Sequence, residues 1–172
     1  SIVSFASPHV GRQVVLRLDL ENFFPTFPAA RVQALFRTLG YPELVADLLG
    51  GLCCNIAPAR VWAERPVSIA PREWQAAVGL YVRPHLPQGA PTSPALANLT
   101  AYRLDCRLSG LAKSAGGAYT RYADDLAFSG DQDFCRGVER FSTQAAAIVL
   151  EEGFNVNHRK TRVLRRGGRQ HL

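Results

Sequence analysis

Two aspartates, Asp124 and Asp125, stand side by side between short apolar runs in YTRYADDLAFSG (119–130). Carboxylates that close raise each other's pKa and repel unless a cation lies between them. A third, Asp19, ends the apolar run of QVVLRLDL (13–20), an unusual place for a charge. Three carboxylates converging on one point make an oxygen-rich site suited to a hard divalent cation, and Mg²⁺ is typically held by carboxylates plus substrate phosphates. Two such ions about 3.5–4 Å apart can clamp the attacking and leaving oxygens of an in-line phosphoryl transfer. The alternative for the pair taken alone is a solvated turn, where aspartate is common.

The elements that must position these residues follow from periodicity. QVVLRLDLENFF (13–24) opens as a buried strand ending near Asp19. FPAARVQALFRTLG (27–40) carries Val32, Leu35, Phe36 and Leu39 at helical spacing, with Gly40 to stop it. YPELVADLLGGL (41–52) repeats the device with Pro42 in the first turn and Gly50 and Gly51 as terminators. Residues 53–85 hold four prolines and both tryptophans and read as an irregular excursion with a short helix near Trp74. Trp62 and Trp74 either fold back onto the body or bind a partner or a base.

TSPALANLTAYRLDCRLSGLAKSAGG (92–117) reads as one helix, with Ser93 as N-cap and Pro94 in the first turn. Its apolar stripe is Ala97, Ala101, Leu104, Leu108 and Leu111, and Gly116 and Gly117 end it. AYTRYADDLAFSG offers two short strands, a hairpin with the carboxylates at its turn. Phe134, Val138, Phe141, Ala145 and Ile148 mark a further helix stopped near Gly153, and FNVNH and TRVLRR read as a final pair of strands. The order is α+β: an antiparallel sheet covered by helices on one face. In such a sheet the strand of Asp19 lies beside the hairpin, and the three carboxylates converge.

Composition bounds the rest. The 172 residues suit a single domain; 47% apolar and 20% charged is ordinary globular composition, against disorder or coiled coil. No apolar run is long enough for a bilayer and no signal peptide opens the chain, so it reads as soluble, cytoplasmic and without a membrane partner. The net charge of +6, concentrated in NHRKTRVLRRGGRQH (157–171), permits a polyanionic partner without proving one. Cys53, Cys54, Cys106 and Cys135 lack metal-ligand spacing and read as reduced, partly buried thiols. His9, His85, His158 and His171 likewise have no ligand spacing and read as surface or structural groups. The absence of any methionine suggests a piece of a longer protein.

Taken together, four segments resemble the reverse transcriptases: LRLDLENFFPTF matches motif A, LPQGAPTSPALANL motif B, YTRYADDLAFSG motif C and EEGFNVNHRKTRVL motif D, in family order. The APTSP wording of motif B is more similar to bacterial retron enzymes than to group II intron maturases. The resemblance implies a polymerase palm with part of the fingers over residues 1–172, the outer fingers and the thumb lying outside the chain. The 53–85 excursion is longer than expected between motifs A and B.

The same resemblance implies roles. Asp19, Asp124 and Asp125 are the catalytic carboxylates and, with the Leu20 carbonyl, the ligands of two Mg²⁺ ions, with Mn²⁺ as a possible substitute. Phe24 falls at the steric gate against a 2′-hydroxyl; its alternative is a core phenylalanine. Gln88 contacts the incoming nucleotide and template, and Gly89 allows close backbone approach, the alternative being an ordinary turn. Tyr122 lies near the primer terminus or else packs its ring, and Lys160 lies near the triphosphate or else is a solvated charge. The implied partners are an RNA template, a DNA or RNA primer and a dNTP. A retron role adds a structured noncoding RNA, anti-phage defence and a possible effector protein. Alternatives are a group II intron, diversity-generating or abortive-infection type reverse transcriptase, or a non-catalytic nucleic-acid-binding scaffold.

Overall fold

A computed structural model of the protein describes residues 2–166. The chain divides into two compact units, one built from the stretches up to Phe23 and from Ala101 onward, the other from Phe24–Thr100.

The first unit is organised by a four-stranded antiparallel sheet in the order β2-β3-β1-β4, with β1 (Val14–Asp19), β2 (Ala118–Tyr122), β3 (Asp125–Gly130) and β4 (Arg162–Arg165). The β-branched start of β1 suits a strand flanked on both sides, and five of its six residues are buried. β2 and β3 form the expected hairpin, with Ala123 and Asp124 at the turn. Register then does the positioning: Asp19 lies directly opposite Asp125 across the β1–β3 ladder.

Alternation gives the sheet two faces. On one, Leu16 faces Phe128 and Phe128 faces Tyr119, and the Phe128 ring meets Phe141 of helix α7 (Gln132–Glu151) edge-on at 5.0 Å. Helix α6 (Tyr102–Ser114) packs beside β2. Fully burying each such Leu, Val or Phe side chain contributes about 1.5–3 kcal/mol. The other face carries Asp19, Asp125, Thr120 and Ser129. There, the segment of α1 (Ile2–Ala6) and the 3-10 turn Ser7–His9 lies against β2 and β3.

Helix stops behave largely as their glycines imply. Gly116 at φ +67° and Gly153 at φ +86° take the left-handed conformation. The residue after each donates back to a carbonyl five positions upstream, Gly117 to Ala112 at 2.8 Å and Phe154 to Val149 at 3.0 Å, which satisfies helix-end carbonyls. Along α7 the buried stripe is Phe134, Val138, Phe141, Ala145 and Val149, with Val149 taking the place expected of Ile148.

In the second unit, α2 (Ala29–Thr38) ends at Gly40 as expected and α3 (Glu43–Cys53) packs against it. Gly50 and Gly51 do not terminate α3, which runs on through them. Gly50 is buried against Gln33 of α2, where a Cβ would overlap the Gln33 side chain, so this glycine serves close packing inside a helix. The excursion holds more helix than expected, α4 (Pro71–Tyr81) preceded by a 3-10 turn Ala59–Trp62. Its tryptophans fold back: Trp62 lies 5.0 Å from Trp74 and 5.8 Å from Tyr81, ring centre to ring centre.

Three further expectations are corrected. The run 92–117 is two helices, α5 (Ser93–Thr100) and α6, divided at Ala101, whose ψ of 4° leaves the helical range. Ser93 does not cap a helix: it is buried, and its hydroxyl donates to the Pro87 carbonyl at 2.6 Å. FNVNH is not a strand; Val156 makes one isolated bridge to Leu20. The cysteines are all unpaired thiols, with Cys106 exposed and the other three half-buried. Among the described residues no helix is long and apolar enough to cross a membrane.

Candidate active site

Asp19 closes β1, and although it is only 7% exposed its carboxylate does not stand alone. Its carbonyl accepts the Asn157 amide at 2.8 Å, and the Asn157 carbonyl accepts the Lys160 amide at 3.0 Å. That turn brings the Lys160 ammonium 3.2 Å from Asp19 Oδ2. A cation therefore already sits on the first carboxylate.

Asp125 is held differently. Arg17, two residues before Asp19 on the same strand, donates from Nε at 3.0 Å and Nη2 at 2.7 Å to Asp125 Oδ1. Asp124 is the remaining carboxylate and has no ion pair among the described residues. Its pKa is raised, first by burial and then by the charges of Asp125 and Asp19; its own amide and Lys160 pull the other way.

Register brings Asp19 opposite Asp125 across the β1–β3 ladder, with Asp124 in the adjoining turn. Among the described residues no three His, Cys, Asp or Glu side chains are grouped to hold a metal ion. Arg17 meets the Asp125 carboxylate much as the Lys160 ammonium meets that of Asp19. Carboxylate oxygens of this kind suit a hard cation, and Asp124 is the one whose charge is disfavoured as it stands. The Leu20 carbonyl accepts no main-chain hydrogen bond among the described residues, while its amide donates to the Asp124 carbonyl at 2.9 Å.

Tyr122 ends β2 opposite Asp125, half-exposed, its ring 6.2 Å from that of Phe5. In the second unit Phe24 opens a 3-10 turn (Phe24–Thr26) and is half-buried. Gln88 and Gly89 form an exposed turn, with Gly89 at φ +91° and open space where a Cβ would be. The backbone conformation, rather than a neighbouring atom, calls for glycine there.

The histidines divide. His85 is buried, and His9 is buried with Nδ1 2.7 Å from Ser129 Oγ and Nε2 2.7 Å from Thr120 Oγ1. His158 is exposed, and His171 lies outside the described residues. Sequence reasoning passed over Arg17; its period-2 spacing to Asp19 on a buried strand was the available signal.

A central antiparallel sheet backed by two helices, with acidic residues at one strand end and an adjoining hairpin turn, defines the palm class of nucleotide-polymerising folds. The family model described as "Reverse transcriptase (RNA-dependent DNA polymerase)" matches residues 2–170, and the chain belongs to that family. It is 50% identical over 173 residues to the retron Mx65 reverse transcriptase of Myxococcus xanthus, covering all of this chain and 38% of that protein. It is 36% identical over 161 residues to the retron Ec86 reverse transcriptase of Escherichia coli (94% of this chain, 41% of that protein). To the retron Mx162 reverse transcriptase of Myxococcus xanthus it is 39% identical over 184 residues, 100% of this chain and 35% of that protein. The resemblance to bacterial retron-type members thus extends along the chain, which spans about two fifths of the length of these relatives.

Proposed function

We propose that this chain is the catalytic core of an RNA-directed DNA polymerase that adds deoxynucleotides to a primer 3′-hydroxyl on an RNA template. The observation that carries the reading is the pairing of Asp19 with the Asp124–Asp125 turn across the β1–β3 ladder, in a chain of the reverse transcriptase family.

Asp19, Asp124 and the Leu20 carbonyl are the groups that would hold Mg²⁺, or Mn²⁺ in its place. When bound, such ions favour the primer alkoxide and offset charge on the phosphates. Asp124 suits the role because its carboxylate is disfavoured until a cation arrives. Arg17 holds Asp125 at the edge of the site by a two-donor ion pair and offsets part of the charge that Asp125 places beside Asp124. Lys160 is free to exchange Asp19 for a triphosphate oxygen, because its side chain is 64% exposed, and could donate a proton to the departing pyrophosphate. Phe24 would stack under the sugar and disfavour a 2′-hydroxyl, Gln88 and Gly89 would face the nascent base pair, and Tyr122 the primer end. The names of the relatives support the retron type, and a structured noncoding RNA as template, a cytoplasmic setting and a link to anti-phage defence through an effector protein complete that proposed reading.

The test is primer extension on an RNA template by the full-length protein with and without Mg²⁺, beside the Asp124→Ala and Phe24→Ala variants. Metal-dependent extension that Asp124→Ala removes, with ribonucleotides accepted more readily by Phe24→Ala, is expected. Undiminished extension by Asp124→Ala overturns the site.

A further inference from the structure

Beneath the turn that carries Asp124, on the sheet face opposite Asp19 and Asp125, lies a buried guanidinium. Alternation along β2 puts Arg121 on the face of the α6 and α7 contacts, whereas Tyr122 shares the face of Asp125. The Arg121 side chain is only 5% exposed. Nε and Nη2 donate to the two oxygens of Asp105 on α6 at 2.8 and 2.6 Å, a fork-on-fork pair of the kind arginine forms and lysine cannot. Asp105 Oδ1 also accepts the Tyr119 hydroxyl at 2.7 Å, so the anchor is itself held. The Phe23 ring lies 5.5 Å from the guanidinium carbon.

A further Arg121 contact gives this anchor its significance. Nη1 donates to the carbonyl of Ala123 at 3.1 Å. Ala123 has φ +53°, a left-handed conformation that a residue with a Cβ keeps only where its surroundings hold it. Its carbonyl belongs to the same peptide plane as the Asp124 amide, so a donor fixed on that oxygen sets the direction in which Asp124 leaves the backbone. A helix is thereby connected through one side chain to the aim of one carboxylate.

We propose that Arg121, anchored by Asp105, is a positioning residue that holds the Ala123–Asp124 turn in the geometry needed for metal-dependent nucleotidyl transfer. The proposal rests on the reading of Asp124 as a catalytic carboxylate. It assigns Arg121 no contact with substrate; its effect passes through the turn.

Two readouts on the full-length protein separate the two claims. Amide hydrogen exchange of the 119–130 segment reports the turn whatever the activity, and primer-extension kinetics at saturating Mg²⁺ report its use. Arg121→Lys, which keeps the charge but not the fork, should speed exchange at residues 122–125. It should also lower kcat by about 10–100-fold with the KM for dNTP little changed, as expected of a group that orients a ligand rather than binding substrate. Tyr119→Phe, which removes only one bond to Asp105, should move both in the same direction by less and serves if the lysine variant does not fold. Exchange and kcat equal to the parent in the folded variants overturn the clamp. Extension unaffected by Asp124→Ala, with fast exchange in Arg121→Lys, overturns the catalytic reading and with it the positioning role, leaving a structural ion pair.

Discussion

Arg17 and Asp125 form a two-donor ion pair across neighbouring strands, with Nε and Nη2 of Arg17 3.0 and 2.7 Å from the same oxygen of Asp125. The pair makes the adjacent aspartates chemically unequal, one compensated by protein and the other not. In primer extension, Asp124→Asn is therefore expected to lower the rate by about 10³-fold, the scale for losing a group that meets transition-state charge. Asp125→Asn, which leaves Arg17 an acceptor, should cost about 10–100-fold, the scale for an orienting group. Equal losses in the two variants would show that Asp125 leaves Arg17 to act beside Asp124.

The same inequality predicts a change in stability without metal. The Asp124 pKa is raised in the fold, by burial first, so the folded state holds that proton more tightly than the unfolded chain does. Stability then declines as pH rises from the unfolded value of 3.8 through the folded one, and at neutral pH the ionised carboxylate opposes folding. Asp124→Asn should therefore melt above the parent at pH 7 in chelator, as thermal denaturation would read. Added Mg²⁺ should narrow that gap by stabilising the parent alone.

Lys160 meets Asp19 at 3.2 Å with its own side chain 64% exposed, so the pair contributes at most about 1 kcal/mol to the fold. Lys160→Met should leave the melting temperature within about 2 °C of the parent while lowering maximal extension by about 100-fold, the lower range for a positioned proton donor. A melting temperature that falls as steeply as the rate would mark the lysine as structural.

His9 supplies a separate pH response. Thr120 Oγ1 donates to the Phe5 carbonyl at 2.9 Å, so His9 Nε2 must donate to that hydroxyl and Nδ1 must accept from Ser129. Burial, then the charge of Arg12, brings the His9 pKa from 6.5 down to about 4. Between those values the unfolded chain binds a proton that the folded one refuses, so stability is full above pH 6.5 and declines as pH falls toward 4. Melting temperature should drop by roughly 5 °C between pH 7 and 4.5. His9→Asn should start lower and show a shallower slope.

Much of this was legible in the chain because the signals are local. The hairpin around Asp124 and the stops at Gly40, Gly116 and Gly153 depend on neighbours within a few residues, and each stop has its left-handed glycine. What was illegible depends on partners distant in sequence. Gly50 reads as a stop until Gln33 is found against it, and the 92–117 stripe does not announce the turn at Ala101. At the site, motif spacing placed Asp19 beside the turn. Arg17, Asp105 and Arg121 could be assigned only once register and helix packing had set them within hydrogen-bonding distance.

Gly130 tests that distinction on the fold itself. It ends β3, and its φ is not left-handed, so conformation alone does not require glycine there. The requirement is space: a Cβ at Gly130 would overlap Cβ and Cγ of Phe134, and one at Gly117 would lie 3.0 Å from Cε2 of the same ring. Phe134 is buried in the first turn of α7 and meets Phe141 at 4.7 Å, so it cannot give way without disturbing the layer under Phe128. Gly130→Ala should therefore destabilise by about 1–3 kcal/mol, the cost of overpacking. Phe134→Leu opens room at a cost of its own. The double variant should lose less than the sum of the two, because the added methyl then occupies space the ring has left. Strict additivity in chemical denaturation would locate the need for glycine in the backbone.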